Sequence, residues 1–247
     1  MKIAGWLTIV FSAALVFGLL EADRAGLAES APSAGLSAAQ NARTQETANP
    51  AASSRSDRTP MTDPSANDDL RSVILAGGCF WCVEAVFEEL HGVSDVVSGY
   101  IGGSVDRPTY QQVCSGETGH AEACKVTYDP QKVSYEKLLE IFFRTHDPTT
   151  LNRQGNDVGT QYRSAIFVQS EEERVQVEKI IAALNESGAF RAPLVTTVEP
   201  AGKFYLAEDY HQDYFRKNPF NGYCQSVIPP KLEKLKKAFA DQLKATK

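Results

Sequence analysis

No aromatic residue occurs between Phe17 and Phe80, and this gap decides where the chain can fold. A packed core needs bulky side chains, because the apolar area they bury must offset the entropy lost on ordering the chain. From Ala28 to Asp69 the residues are mostly Ala, Ser, Thr, Pro, Asn, Gln and Asp, with Leu36 and Met61 the only large apolar side chains. Residues 29–69 therefore read as a disordered linker. What remains is Leu70 to Lys247, the size of one domain and small enough to be expected as a monomer. The whole chain carries 25 Lys+Arg against 31 Asp+Glu. That balance gives no electrostatic footprint for nucleic acid, and no such partner is expected.

A leader precedes the linker. Met1-Lys2 gives a positive start, and Ile3 to Leu20 carries no charge. The run is longer than the roughly 7–15 residues of a signal h-region and reaches the lower limit of a membrane span, about 17 residues. Gly26-Leu27-Ala28 offers a small-x-small cleavage site, and Leu20-Glu21-Ala22 a weaker one. Residues 1–28 are thus expected to be a signal peptide or a membrane anchor. Either reading puts the chemistry outside the cytoplasm, exported or tethered at a membrane face such as the periplasmic one.

Beyond Leu70 the hydrophobic pattern alternates between strand and helix periods. Strands are expected at Ser72–Ala76, Val93–Tyr100, Glu122–Tyr128, Ser164–Val168 and Val195–Glu199. Helices are expected at Phe80–Leu90, ended by Gly92, and at Ser134–Phe143 and Ser170–Leu184, each opened by its serine as N-cap. A Tyr-rich helix would carry Tyr205, Tyr210 and Tyr214, and a terminal helix would span Leu232–Leu243. The expected class is α+β, a two-layer α/β sandwich with helices on a central mixed sheet. The residues 70–247 form the expected catalytic domain.

Five cysteines sit in this chain, and Cys79 is the most informative. It follows Gly77-Gly78 at a strand-to-helix turn, where unpaired N–H groups and the positive helix end favour a thiolate. A small buried core residue is the other reading of a lone thiol. Cys82 completes Cys-x-x-Cys, which suggests a disulfide exchanger or half of a zinc site. Cys114, Cys124 and Cys224 form no second close pair, so no metal is expected. Cys114 and Cys124 read as buried structural thiols, with a disulfide between them open in an oxidising compartment. Hydrogen-bonding residues crowd three loops, around Tyr100, around Glu117, His120 and Glu122, and from Asn152 through Asp157, Gln161 and Tyr162 to Ser164.

Five motifs occur in order: Gly77-Gly-Cys-Phe-Trp-x-x-Glu84, Gly99-Tyr-x-Gly-Gly103, Thr118-Gly-His-Ala-Glu122, Asn152-Arg-Gln-Gly-Asn-Asp-x-Gly-Thr-Gln-Tyr-Arg-Ser164 and Asn221-Gly-Tyr-Cys224. Over about Arg71 to Lys231 the chain closely resembles the A-type peptide methionine sulfoxide reductases. The resemblance implies that family's fold, of ferredoxin-like kind. It implies reduction of the S epimer of methionine sulfoxide, free or in proteins, as repair of oxidative damage.

On that resemblance Cys79 is the attacking thiolate and Glu122 the acid at the sulfoxide oxygen. Tyr100 and Tyr162 would donate hydrogen bonds to that oxygen, and Asp157 would orient a water or the substrate. Phe80 and Trp81 would cage the S-methyl group. The attack leaves a sulfenic acid, which a second thiol converts to a disulfide. Cys224 matches the family's resolving cysteine. Cys82 departs from the commoner pattern and offers a competing route, although a bridge inside a helix would distort it. No cofactor is implied beyond an external thioredoxin-like or dithiol reductant. Glu84, His120, His146, Asp209 and His211 are assigned structural hydrogen bonds first, and the three tyrosines 205, 210 and 214 a core role.

Overall fold

The computed structural model describes residues 69–245. The expected leader and all but the last residue of the expected linker lie outside them. Among the described residues no helix is long and apolar enough to cross a membrane.

The chain runs β1 (Arg71–Gly77), α1 (Phe80–Glu88), β2 (Val93–Ile101), α2 (Tyr110–Cys114), β3 (Ala121–Tyr128), α3 (Tyr135–Thr145), β4 (Arg153–Gln154), β5 (Asp157–Val158), β6 (Ser164–Val168), α4 (Glu171–Glu186), β7 (Thr197–Pro200), β8 (Tyr205–Leu206), α5 (Tyr214–Lys217) and α6 (Gly222–Ala238). Six strands form one sheet in the order β7-β6-β1-β3-β2-β8. Its pairs are antiparallel except β6 with β7, which makes the sheet mixed. The short β4–β5 hairpin stands apart.

Side-chain alternation sorts the two faces. On β1, Val73 and Leu75 join the large core beneath the helices, while Ile74 and Ala76 point to the other side. That second face mixes small residues, Ala121, Ala123 and Ala165, with Ile101 and Phe167, and Ala201 and Phe204 pack against it. Helix α1 is buried on every side from Phe80 to Phe87, packed against β2, β3 and α6. A helix apolar all round belongs inside, and here it puts the chemistry of its N-terminus inside as well.

Ser134 and Ser170 cap α3 and α4 by accepting the N–H of Lys137 and Glu173, as their spacing leads one to expect. Other boundaries differ. Helix α1 stops at Glu88, and Gly92, at φ +88°, serves the following turn instead of the helix end. The Tyr-rich helix does not form; Tyr205 lies in β8, a single 3₁₀ turn covers Asp209–His211, and α5 starts at Tyr214. The terminal helix begins ten residues earlier than expected, because Asn221 caps it and it continues through Pro229 and Pro230. Burial of Cys224, Ile228 and Leu235 against the core outweighs the hydrogen bonds those prolines remove.

Gly78 makes the β1–α1 turn possible. It adopts φ +94°, and a Cβ there would meet Gln154 Cγ at 2.5 Å. Gly78→Ala is expected to lower the unfolding free energy by at least about 1 kcal/mol, the strain of a left-handed residue carrying a side chain. Urea denaturation measures this, and an unchanged midpoint with unchanged slope contradicts it.

Candidate active site

The β1–α1 turn delivers Cys79 to the N-cap of α1, with φ −55° and ψ 123°, so it precedes the helix proper. Its neighbour Phe80 is the first helical residue, whose N–H has no partner within the helix. Glu122 supplies that partner: Phe80 N donates to Glu122 Oε2 at 3.1 Å. Glu122 reaches this position because β3 pairs with β2 in a register that sets Tyr100 opposite it. Asp157 comes from the β4–β5 hairpin and Tyr162 from the 3₁₀ turn Thr160–Tyr162 that follows. The fold thus gathers Cys79, Glu122, Tyr100, Asp157 and Tyr162 from four separate stretches of chain, each largely buried.

Glu122 is 1% exposed, and its second oxygen, Oε1, has no hydrogen-bond partner. Burial first, and then the charge of Asp157, push its carboxyl up to about 8, against the opposing Phe80 N–H bond. The group is therefore a neutral acid at pH 7 with an uncommitted oxygen. Asp157 is raised by burial, while the phenol of Tyr223, donating to Oδ2 at 2.6 Å, pulls the other way.

An aromatic wall flanks the thiol. Trp81 stacks on Tyr214 at 3.7 Å between centroids with planes 6° apart, and its Nε1 donates to His211 Nδ1 at 3.1 Å. His211 is fully buried and neutral, its imidazole held down to about 4 by desolvation. Because Nδ1 accepts, the proton of that ring sits on Nε2. Phe80, Tyr110 and His211 pack against one another around the same place. Such a wall suits an apolar methyl group next to a polar atom.

Several site residues depart from expectation. Cys79 is not a thiol of depressed pKa in this state. Burial raises it most, and the neighbouring Cys82 adds to that. Cys82 is lowered, first by the neighbouring Cys79 and then, against burial, by the positive charge of Lys231. Tyr100 does not aim its proton into the pocket; its Oη donates to Glu208 Oε2 at 2.8 Å. Tyr162 is 3% exposed, and burial first raises its phenol, so it keeps its proton and the donor role. The expected helix distortion for a Cys79–Cys82 bridge also falls away, since Cys79 lies before the helix. All five cysteines are free thiols. Cys124 is fully buried and donates to Phe80 O at 3.4 Å, whereas Cys114 is only partly buried, its thiol pushed up to about 12 chiefly by desolvation.

Glu84, His120, His146 and His211 hold structural bonds. Glu84, for instance, accepts from Asp213 N, Tyr214 N and Ser98 Oγ. Sequence reading missed Glu208, Tyr110, Tyr214 and Tyr223 as members of the site. The Tyr223 position was in plain view beside Cys224, but its reach to Asp157 depends on how α6 docks.

A buried thiol, a neutral carboxylic acid with a free oxygen and an aromatic wall together define a thiol-dependent reductase site for a small oxygenated group flanked by apolar atoms. The profile of the peptide methionine sulfoxide reductases matches residues 71–243. The chain is 58% identical over 172 residues to peptide methionine sulfoxide reductase MsrA 1 of Rhodopirellula baltica, covering 70% of this chain and 88% of that protein. It is 54% identical over 183 residues to MsrA of Deinococcus radiodurans, covering 74% and 88%. Among solved structures, reduced Mxr1 of Saccharomyces cerevisiae aligns with TM-score 0.59 at 35% identity, covering 64% of this chain and 91% of that one. Methionine sulfoxide reductase A of Corynebacterium diphtheriae aligns with TM-score 0.57 at 37% identity, covering 66% and 85%. The chain belongs to the peptide methionine sulfoxide reductase family, and its α+β fold is that of these enzymes.

Proposed function

We propose that Cys79 reduces the S epimer of methionine sulfoxide while Glu122 protonates its oxygen. Cys79 sulfur bonds to the sulfoxide sulfur as Glu122 gives its proton to the oxygen and takes up the thiol proton; the S–O bond and then the new S–S bond break, methionine leaves, and the oxygen ends on Cys79 as a sulfenic acid. The cysteine sulfur is oxidised by two electrons and the methionine sulfur reduced by two. The observation that carries this reading is Glu122 Oε1, a buried, unpartnered oxygen on a carboxyl raised to about 8. Such a group holds its proton at neutral pH and has somewhere to give it. Tyr162 adds a second donor as charge develops on the oxygen. Asp157 orients the approach, and Phe80 and Trp81 hold the methyl group.

A second thiol then resolves the sulfenic acid, and Cys224 ends the intramolecular sequence as a disulfide. A thioredoxin-like protein, or a dithiol in vitro, restores the reduced enzyme. The leader supports placement outside the cytoplasm, periplasmic or tethered to the membrane, so the donor there is an exported or membrane-relayed dithiol protein. The enzyme works as a monomer on oxidised proteins and on free methionine sulfoxide.

The test is to incubate the protein with dithiothreitol and each epimer of a methionine sulfoxide derivative. Loss of the S epimer with the R epimer intact is expected. Persistence of the S epimer overturns the proposal, and reduction of insulin disulfides without sulfoxide loss would favour a plain disulfide exchanger. N-terminal sequencing of the protein from fractionated cells tests the export reading; an intact Met1 in the cytosolic fraction contradicts it.

A further inference from the structure

We propose that Cys82 is the first thiol to resolve the oxidised Cys79, and that Cys224 acts afterwards on the Cys79–Cys82 bridge. The inference rests on the role of Cys79 as the attacking thiol. It deepens the recycling half of that reaction.

Three features of the site carry it. The first is proximity without strain. Cys79 sits at the N-cap with non-helical dihedrals, Cys82 lies one turn on, and Cys82 N donates to Cys79 O at 3.0 Å. Both thiols are buried in the same turn at the start of α1, so a bond of about 2.05 Å can close with Cys79 outside the helix and no unwinding of α1. The second is the enclosure of Cys224. It is fully buried in the first turn of α6, where Asn221 Oδ1 accepts from the N–H groups of both Tyr223 and Cys224. Tyr223 anchors that turn further by its bond to Asp157 at 2.6 Å. The third is the position of Cys82 beside both ends of the path. Its sulfur lies 3.8 Å from Tyr223 Oη, next in sequence to Cys224, and it is close enough that, after burial, its charge raises the Cys224 thiol.

The chemistry balances without an added reactant. The Cys79 sulfenic acid condenses with the Cys82 thiol; a sulfur–sulfur bond forms, the S–O bond breaks, and the hydroxyl leaves as water with the Cys82 proton. Cys224 then attacks Cys82 sulfur. A Cys82–Cys224 disulfide forms, and the proton of Cys224 passes to the departing Cys79 thiolate. Cys82 is suited to the first step, because Lys231 and the Tyr223 phenol both favour its thiolate. Cys224, pushed up to about 11 by burial, is the slower nucleophile while α6 stays docked. The exchange hands the oxidised pair outward and frees Cys79.

The experiment uses the full chain in a single turnover with an S-sulfoxide and no reductant, quenched at intervals by acid and alkylation. Peptide mapping in the wild type is expected to show the Cys79–Cys82 crosslink first and the Cys82–Cys224 crosslink later. In Cys224→Ser the Cys79–Cys82 crosslink should accumulate. In Cys82→Ser, trapping of the Cys79 sulfenic acid by dimedone should rise at least about tenfold, since its fastest partner is gone. Circular dichroism of each variant checks that the fold is intact, and the wild-type time course needs no variant at all. A wild-type Cys79–Cys224 crosslink that appears first, with Cys82 alkylatable throughout, overturns the proposal. If no methionine is released, the role of Cys79 fails and this inference fails with it. Methionine released with the wrong crosslink order sinks the relay alone.

Discussion

Cys79→Ser is expected to lower kcat/KM for methionine sulfoxide by about 10⁴-fold or more, roughly 5.5 kcal/mol of transition-state stabilisation. The reason is redox chemistry as much as nucleophilicity. A hydroxyl oxygen cannot take the two-electron oxidation that carries the sulfoxide oxygen away, so no slower route through the same residue exists. The fold should tolerate the change. Cys79 is 4% exposed and its side chain makes no cap bond, so serine alters the packing by little more than one atom. Thermal unfolding should therefore stay close to wild type while product formation falls to background. Retention of a tenth of the activity would remove Cys79 from the reaction.

Glu122→Gln should reduce kcat/KM by about 10²–10⁴-fold, the usual contribution of a positioned acid. Its pH dependence separates it from a packing defect. In the wild type the active form is the protonated one, so activity holds below about 8 and falls as pH rises through it. Glutamine carries no proton to lose, and the residual activity of the variant should lack that alkaline limb. Stability moves the opposite way. Folding raises this carboxyl from an ordinary value near 4.5 to about 8. Its stabilising contribution is full below the unfolded value and is lost as pH rises through the folded one. Above pH 8 the wild type holds a buried carboxylate that the variant does not. Glu122→Gln should thus be less active yet more resistant to urea at pH 9. A variant equally unstable at both pH 6 and pH 9 would mean that Glu122 is ionised in the fold.

The local rules of sequence were enough for elements whose signals are local. Ser134 and Ser170 announce their helices, and the apolar run of β6 is a strand by composition alone. The α6 boundary was not legible, because proline marks a helix break locally while the burial of Ile228 and Leu235 is a tertiary fact. In the site, Cys79, Glu122 and Asp157 were visible through long motifs. Their electrostatics were not. A helix N-terminus alone favours a thiolate, but the burial of α1 on every side reverses the direction for Cys79. Tyr100 was placed correctly in the chain and wrongly in its bonding, since Glu208 lies 108 positions away and meets it only when β8 folds against β2. The roles of Tyr214 and Tyr223 likewise depend on where α5 and α6 dock.

The Trp81 stack has a spectroscopic consequence. The chain holds two tryptophans, Trp6 near its N-terminus and Trp81 in the pocket. In a protein without Trp6, every photon of indole emission comes from a ring lying flat on Tyr214 and bonded to His211. At 4% exposure that emission should be blue-shifted. It should change when a methyl group enters beside the ring, and again when the neighbouring sulfur is oxidised. The reaction can then be followed on the native enzyme by light alone, with no label attached.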